Sequence, residues 1–469
     1  MQSEFITKNR YKLFTVGAIG TFMATLDGSI LNVALPTISS DLNCSVDQIA
    51  WTAVAYSLTL ISLMLIFGIW IDKKGYFFAY RFGYSFFLIG SALCALSTNL
   101  PMLLFSRVVQ AIGTAMFAGI GPGMVTTVFG LKEKGKGIGL MVMMVSAGFM
   151  VGPPLGGFLL NYFSWQSIFV INLPIGIVGM LMTVRYFRKM PPPEGNRKVN
   201  ILSALAISTS LVSFTFCLSF INDYAFTDIR IWGLAVVSLI SFVLFLRNES
   251  NPKRAIIGIE IFKNRQFTSS IGAMMFMFIG LSGISILVPF YLEEIRHYEP
   301  SQVGLFLIIL PIMMFIFAPL SGRLSDKIGY RILTVIGLLI QIAGYFMLAE
   351  LGVDSTKIFI IGCFILLGIG TGIFNTPNSS ALMGSVTDKY RAVTSSILGT
   401  TRNIGMSIGV ALTTALFAHF QSVNATIGDE NIAFVKSFST VIYISIGITA
   451  VALLFSLVRG NRKGNSEEK

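Results

Sequence analysis

Long apolar runs, separated by short polar loops, dominate the hydrophobic pattern of this 469-residue chain. A helix that crosses a bilayer core of about 30 Å needs about 20 apolar residues, because each residue adds about 1.5 Å. The runs that reach this length have approximate cores at 13–35, 50–71, 79–98, 102–125, 137–160, 166–186, 201–221, 231–247, 268–292, 302–322, 332–350, 357–380, 394–418 and 437–458. The pattern therefore predicts an all-α, polytopic membrane protein with fourteen transmembrane helices.

Composition supports a bilayer environment. Hydrophobic residues make up 54% of the chain and charged residues only 12%, whereas roughly a quarter of the residues of a typical soluble protein are charged. The net charge is +12, but the basic residues recur in short bursts between apolar runs and do not cluster on one domain. We therefore expect the lipid bilayer as a partner, and no nucleic acid.

The distribution of Lys and Arg predicts the orientation of the chain. With both termini inside, all but six of the 34 basic residues fall in inside segments. The exceptions are Arg230, Arg296, Lys357 and Lys436 outside, and Arg107 and Arg402 within helices. Because basic loops stay on the cytoplasmic side, we expect both termini in the cytoplasm. The first apolar run lacks a convincing cleavage site for a signal peptide, so it is predicted to remain as the first membrane helix.

Signatures of other protein classes do not occur in the sequence. There is no H-E-x-x-H metal motif, no nucleophile elbow and no G-x-x-x-x-G-K-[ST] phosphate loop. No polar segment is long enough for a nucleotide-binding domain, and the four cysteines show no C-x-x-C spacing. We therefore predict neither a membrane enzyme nor an ATP-driven pump, and we expect no metal and no cofactor.

One loop sequence occurs twice. The stretch Gly68-Ile-Trp-Ile-Asp72-Lys-Lys-Gly75 recurs as Gly322-Arg-Leu-Ser-Asp326-Lys-Ile-Gly329, each time between the second and third helices of a six-helix set. An acid ahead of a helix stabilises its first amides, and glycine allows the tight turn. The repeat predicts two related six-helix halves, which a receptor or scaffold would not need. Ordinary charged turns remain the alternative interpretation of the loops.

A cluster of glycine and proline interrupts the fifth apolar run, at Gly148-Phe-Met-Val-Gly-Pro-Pro-Leu-Gly-Gly157. In lipid, small residues let neighbouring backbones approach closely, and packed partners satisfy the groups that proline leaves free. The stretch therefore predicts a kinked, closely packed helix. A tight helix-packing site with no link to transport direction is the alternative.

Three ionisable residues lie well inside the predicted helices: Asp27, Arg107 and Arg402. Asp27 is eight residues from the outer end of its helix, or about 12 Å deep, and Arg107 is six residues, or about 9 Å, below the same surface. A carboxylate in a membrane helix is costly and marks a functional site by default. We therefore predict that Asp27 couples transport to protons with Arg107 as its partner; a fixed structural ion pair is the alternative.

These motifs together resemble the major facilitator superfamily. The repeated loops are similar to its G-x-L-x-D-x-x-G-x-R pattern, more closely in the second copy, where Arg331 follows; the first copy has Phe77 at the basic position. The stretch from Arg107 to Ala115 is similar to R-x-x-Q-G-x-G-x-A. The glycine cluster resembles G-x-x-x-G-P-x-x-G-G of proton-coupled exporters, with matches at Gly148, Gly152, Pro153, Gly156 and Gly157. The stretch from Trp165 to Gly176 resembles a further motif of the fourteen-helix drug:proton antiporter branch.

This resemblance implies a domain organisation and a set of site residues. The expected domains are an N-terminal six-helix half at 1–190, two additional helices at 191–250, an interfacial linker at 251–267, a C-terminal six-helix half at 268–458 and a cytoplasmic tail at 459–469. The expected gating residues are Gly68, Asp72, Gly75, Gly322, Asp326, Gly329 and Arg331. The candidate cavity residues are Asn32, Gln110, Asn375, Asn378 and Arg402.

The implied function is proton-coupled efflux of small amphipathic compounds, such as drugs or antibiotics, by alternating access. We expect a monomer in a bacterial cell membrane, with a small-molecule substrate and protons as partners. A lipid or glycolipid translocase, a metabolite exporter and, less favoured, an importer remain alternatives. Because a second acid deep in the helices is missing, we expect neutral, zwitterionic or monocationic substrates. Asp223, Glu293 and Glu294 are the next acids to test if Asp27 does not carry the proton.

Overall fold

The computed structural model describes residues 2–190, 200–220, 228–251, 259–387 and 390–459, and its regular structure in these ranges is helical throughout. Thirteen described helices are long and apolar enough to cross a membrane. The seventh predicted segment is also a helix, Ile201–Phe220, of 20 residues. The prediction of an all-α polytopic membrane protein is confirmed, while the sidedness of the termini stays a prediction.

Eight helices supply the first six spans. They are α1 (Gln2–Asp41), α2 (Val46–Lys74), α3 (Tyr76–Ala95), α4 (Leu100–Ala118), α5 (Gly121–Phe129), α6 (Lys134–Tyr162), α7 (Ser167–Val170) and α8 (Asn172–Tyr186). The span Leu100–Phe129 contains both α4 and α5, which are separated by a turn at residues 119–120. The span Ser167–Lys189 contains α7, α8 and a final 3-10 turn.

The rest of the chain adds nine helices. They are α9 (Ile201–Phe220), α10 (Ile229–Glu249), α11 (Arg265–Phe290), α12 (Pro300–Leu307), α13 (Ile309–Ile328), α14 (Tyr330–Ala349), α15 (Lys357–Met383), α16 (Arg391–Asn424) and α17 (Glu430–Val458). A π-helical turn, Tyr291–Ile295, extends α11 and contains Glu293 and Glu294, both exposed. Asp223, the loop at 191–199, positions 252–258 of the linker and the tail at 460–469 lie outside the described residues.

The chain divides into two compact units. The first comprises Met1–Phe214, Ala235–Ile259 and Val386–Thr400, and the second comprises Thr215–Leu234, Glu260–Ser385 and Thr401–Lys469. The beginning of α16 therefore belongs to the first unit, although it lies late in the sequence. The domain boundaries derived from the sequence stay a prediction.

Each unit has an apolar core of its own. In the first unit, Leu26 and Ile30 of α1 pack in one cluster with Trp165 and Phe169. In the second unit, the cluster includes Tyr345, Phe364 and a stacked pair, Tyr291 and Phe438, with ring centroids 5.5 Å apart. Because lipid tails are as apolar as these side chains, the helices associate through close packing and interhelical hydrogen bonds. Shape complementarity therefore positions the polar groups within each unit.

The two copies of the repeated loop share one backbone geometry. Gly75 follows α2 with φ 86° and ψ 168°, and Gly329 follows α13 with φ 89° and ψ 162°. Each glycine N–H donates to the carbonyl four residues earlier, on Ile71 at 2.7 Å and on Ser325 at 3.1 Å. Only glycine adopts this conformation readily. The repeat in the sequence therefore corresponds to the same helix ending in both units.

We expect Gly75→Ala and Gly329→Ala each to destabilise the protein by about 1–3 kcal/mol, the typical cost of a side chain in this backbone region. Gly447→Ala in α17 is the matched control, because an added methyl group there has no neighbour within 4 Å and φ is not positive. Thermal unfolding of the purified protein in detergent measures the effect. Equal melting temperatures for all three variants would contradict the backbone argument.

Candidate functional site

Asp27 and Arg107 form a buried ion pair in the first unit. The Arg107 guanidinium donates from Nη1 to Oδ2 of Asp27 at 2.6 Å. Asp27 is 3% exposed and Arg107 is 1% exposed. The structure thus brings together the two residues that the depth estimate placed at similar heights. A buried ion pair is stable only where further hydrogen bonds satisfy the remaining polar atoms.

Two amide side chains complete the shell around the carboxylate. Gln110 donates to Oδ1 of Asp27 at 2.7 Å, and Asn172 donates to the same atom at 2.8 Å. Gln110 also donates to the Ser91 hydroxyl at 2.9 Å. Asp27 therefore accepts three hydrogen bonds, one of them from a charged donor. The donors come from α4 and α8, and Ser91 connects α3 to the network.

The guanidinium of Arg107 has partners besides the carboxylate. Its Nη1 also donates to Oε1 of Gln110, and its central carbon lies 4.2 Å from the ring centroid of Tyr56. The Tyr56 hydroxyl in turn is 2.7 Å from that of Thr114. Among the described residues, Nε of Arg107 and Oδ1 of Asn172 are buried without a hydrogen-bond partner. The N–H at Nε of Arg107 and the amide oxygen of Asn172 are therefore a further donor and a further acceptor at the ion pair.

The start of α4 places its polar residues at the right depth. Asn99 accepts a hydrogen bond from the Met102 N–H at 2.9 Å, and Pro101 occupies the first turn of the helix. Both are typical of helix N-termini. Arg107 and Gln110 are three residues apart, so their side chains lie on the same face of α4. That face is directed towards Asp27 on α1.

The glycine cluster of α6 packs against α1 beside Asp27. Ser29 donates to the Gly148 carbonyl at 3.1 Å. A methyl group at Gly148 would overlap the Thr25 hydroxyl, and one at Gly152 would overlap the Ser29 hydroxyl. These contacts flank Asp27 along α1 on both sides. The close approach of α6 therefore fixes the position of the turn that carries the carboxylate.

The remaining residues of the cluster contribute differently. A methyl group at Gly156 would be in ordinary contact with Ile30, at 3.4 Å, and one at Gly157 would have no neighbour within 4 Å. Pro153 lies within α6, which runs continuously from Lys134 to Tyr162. The tight contact thus depends on the first two glycines.

The first repeated loop contacts the start of α16. The Asp72 carboxylate accepts from the N–H groups of Ala392 and Val393, at 2.9 and 3.0 Å. A methyl group at Gly68 would overlap the Ser396 side chain. A carboxylate at a helix N-terminus satisfies free amides and interacts favourably with the helix dipole. Asp72 therefore holds the first turn of a helix that lies 320 positions away in the sequence.

The second loop lies at the end of α13. Gly322 is buried, and Asp326 is half-buried at the end of α13. Arg331 donates to the Leu457 carbonyl at 2.7 Å, near the C-terminus of α17. A cation is favourable at that end of a helix. The two copies therefore share a backbone turn, and Arg331, which stands where the first copy has Phe77, adds a contact with the end of α17.

The candidate cavity residues belong to both units, and their role in a cavity stays a prediction. Gln110 belongs to the Asp27 network, Asn32 is exposed, and Arg402 is half-buried on α16. In the second unit, Asn375 is buried, and Asn378 donates to the Ser270 carbonyl at 3.0 Å.

Asn378 also accepts a hydrogen bond from Arg459. Burial lowers the pKa of Arg459 to about 10, which leaves it charged at neutral pH. Asn378 therefore has structural partners on both sides of its amide.

Three polar residues of the network were not among the predicted site residues: Asn172, Ser91 and Tyr56. Asn172 lies in the stretch from Trp165 to Gly176 that carried part of the family resemblance, and it is a buried amide in an apolar helix. An amide in an apolar helix, within a stretch that resembles a family motif, was therefore the feature of the sequence that could have identified Asn172. Ser91 and Tyr56 are common residue types in membrane helices, and nothing in their spacing marked them. Within the described ranges, no group of three His, Cys, Asp or Glu side chains is placed to hold a metal ion.

Comparisons with known proteins give a consistent result. A profile of the Major Facilitator Superfamily matches residues 17–410 and 271–469. The riboflavin transporter RibZ of Clostridioides difficile is 33% identical over 96% of this chain and 97% of its own length. The multidrug transporter protein MdtP of Bacillus subtilis is 29% identical over 88% of this chain and 76% of its own length.

A solved structure supports the fold. The human organic anion transporter MFSD10 superposes with a TM-score of 0.65 at 12% identity, covering 94% of this chain and 99% of its own. At this level of identity, the similarity concerns the fold alone.

We expect Gly152→Ala to destabilise the protein by about 1–3 kcal/mol, the usual cost of overpacking, because its methyl group would displace Ser29 and with it the Asp27 turn. Gly157→Ala is the matched control: it has the same chemistry, lies on the same helix and has no neighbour within 4 Å. Thermal unfolding and transport rate should both fall for the first variant only. Equal behaviour of the two variants would show that the contact between α6 and α1 carries no constraint.

Proposed function

Because the chain belongs to the Major Facilitator Superfamily and is therefore a membrane transporter, we propose that it exports small amphipathic compounds in exchange for protons. The observation that carries this proposal is the buried Asp27–Arg107 pair with its amide partners. A titratable carboxylate in the middle of a membrane helix is costly and is retained where it has a function. The free energy of the charged carboxylate also depends on whether a cation is nearby. Proton coupling requires this dependence, because proton affinity must differ between conformations.

The proposed coupling follows from the charges. When Asp27 is ionised, its three donors hold α1 to α4 and α8. Protonation removes the negative charge, so the attraction to Arg107 is lost and the amide donors lose a strong acceptor. The helices are then free to adopt a second arrangement, in which the proton is released to the other side. A fixed structural ion pair remains the competing interpretation, and it also predicts damage on mutation.

The proposed gate is the contact between Asp72 and the first turn of α16. A ligand or proton shifts a conformational equilibrium only through contacts that differ between the states. The carboxylate accepts from two backbone N–H groups, so moving this turn away breaks both bonds together. We propose that the contact is made in one state of the transport cycle and is lost in the other. Asp326 is proposed to act at the equivalent loop of the second unit.

Transport of a flavin is the second candidate function. The relative named as a riboflavin transporter covers nearly all of this chain and of its own length, whereas the multidrug relative extends well beyond the match. Riboflavin is a neutral, polyhydroxylated aromatic compound, which fits the predicted preference for neutral substrates. A drug exporter and a flavin transporter of this fold would share the proton site and differ in the residues that contact the substrate.

We predict that purified protein in vesicles moves drug-like dyes against their gradient when a proton gradient is imposed, and prefers neutral or monocationic compounds to matched dications. A panel of dyes, drugs, riboflavin and fluorescent lipids, tested with gradients of both signs, measures this. Gradient-driven movement of riboflavin alone would favour the second candidate, and movement of lipids alone would favour a translocase. Equal transport of matched monocations and dications would contradict the predicted charge preference.

We expect Asp27→Asn to bind substrate and retain downhill exchange, but to lose uphill transport driven by a proton gradient, because the amide keeps the shape and cannot titrate. Asp41→Asn is the matched control, since Asp41 is an exposed acid on the same helix that accepts from Trp165. Uphill and downhill flux in the same vesicles separate coupling from folding. Uphill transport by the Asp27 variant would place the coupling proton elsewhere, with Glu293, Glu294 and Asp223 next to test.

We expect Asp72→Asn to change the transport rate several-fold at unchanged protein abundance. The amide retains one acceptor oxygen and loses the charge, so it weakens a helix-terminus contact typically worth about 0.3–2 kcal/mol. Lys73→Gln, which removes an exposed charge from the neighbouring residue, is the control. Asp326→Asn tests the second loop in the same way. Wild-type rates for both aspartate variants would show that the loops are ordinary turns.

A further inference from the structure

An apolar groove of about 440 Å³ lies in the first unit between α2, α3, α4 and α9. Its walls include Phe67, Trp70, Phe78, Phe82, Phe86 and Leu205, and almost no polar atom reaches its surface. None of these side chains belongs to the Asp27 network or to the Asp72 contact. The groove is therefore a separate feature, and its interpretation does not depend on the proposed transport function.

The groove opens to the outside of the helix bundle. Trp70 and Phe82 are each 40% exposed, and Leu205 is 55% exposed. The wall formed by α9 is attached to α2, because the Ser208 hydroxyl donates to the Ser62 carbonyl at 2.6 Å. In a membrane protein, such an opening faces lipid chains. The depression is thus accessible from the bilayer, and a hydrogen bond joins two of its walls.

Basic residues surround one end of the groove. Lys73 and Lys74 follow Trp70 in the last turn of α2, and both are exposed. Arg81 is exposed on α3, and its guanidinium carbon lies 5.8 Å from the ring centroid of Phe82, which lines the groove. The acid of the same loop, Asp72, directs its carboxylate to the N–H groups of α16. The entrance at this end is therefore positively charged.

We propose that this groove binds an anionic phospholipid, with an acyl chain along the aromatic wall and the phosphate beside Arg81 and Lys74. An acyl chain matches a lining without hydrogen-bonding groups, and a polar transport substrate would leave its own polar groups unsatisfied there. The basic end lies on the side that the Lys and Arg distribution assigns to the cytoplasm, where anionic lipids are concentrated. The charged end thus selects the headgroup, and the apolar walls hold the chain.

Fluorescence quenching by brominated lipids tests the proposal, because Trp70 lines the groove and bromine quenches tryptophan only at close range. Wild-type protein is placed in phosphatidylcholine vesicles that contain equal fractions of dibrominated phosphatidylcholine or dibrominated phosphatidylglycerol. We expect phosphatidylglycerol to quench more strongly, with a relative binding preference of about five-fold for each basic residue that contacts it. The chain has four tryptophans, and only Trp70 lines the groove. The difference in quenching between the two brominated lipids should therefore disappear in Trp70→Phe.

Charge variants test the headgroup contact. The double variant Lys74→Gln, Arg81→Gln should quench equally with both lipids, whereas Lys263→Gln, which removes an exposed lysine from the second unit, should keep the preference. Equal quenching in wild-type protein would overturn the proposal, because the groove would then hold acyl chains without selection. A preference that persists in the double variant, or in Trp70→Phe, would overturn the assigned position.

Discussion

The Asp27 carboxylate, buried inside a membrane helix, is the constraint on which the packing of the first unit depends. An isolated charge at this depth is costly, so the surrounding helices must supply a cation and hydrogen-bond donors. Arg107 supplies the charge, and Gln110 and Asn172 supply amide donors to the second oxygen. The positions of α1, α4 and α8 follow from this requirement, since each must bring one polar group to the same point.

Close helix packing makes this arrangement possible. The first two glycines of the α6 cluster allow that helix to contact α1 on both sides of Asp27, where a methyl group would meet Thr25 or Ser29. The glycine cluster, which resembles a motif of antiporters, is thus also the surface that packs against α1, the helix that carries Asp27. A shift of α6 against α1 would therefore change the environment of the carboxylate, which would link this contact to the proposed proton coupling.

Much of the fold was predictable from the sequence. The hydrogen-bond partners of the polar side chains were harder to predict. Run length and hydropathy identified the membrane helices. The rise per residue of a helix placed Asp27 and Arg107 at similar depth. Asn172 and the start of α16 were not found as partners, because they lie 145 and 320 positions from Asp27 and Asp72. Such pairings depend on tertiary packing, which local periodicity does not encode. Asn378 bridges Ser270 and Arg459, and its predicted place in a cavity stays a prediction, because an amide in an apolar helix serves either purpose.

Infrared difference spectroscopy of the reconstituted protein tests the central claim most directly, because a protonated carboxyl group has a C=O stretching band that a carboxylate lacks. Difference spectra of wild-type protein, recorded as the pH is lowered, should show this band at the position expected of a carboxyl group shielded from water. Addition of substrate should change the pH at which the band appears. The account predicts that Asp27→Asn loses the band and its response to substrate, while Asp41→Asn retains both. An unchanged band in Asp27→Asn would contradict the account, because the titrating carboxyl group would then be a different residue.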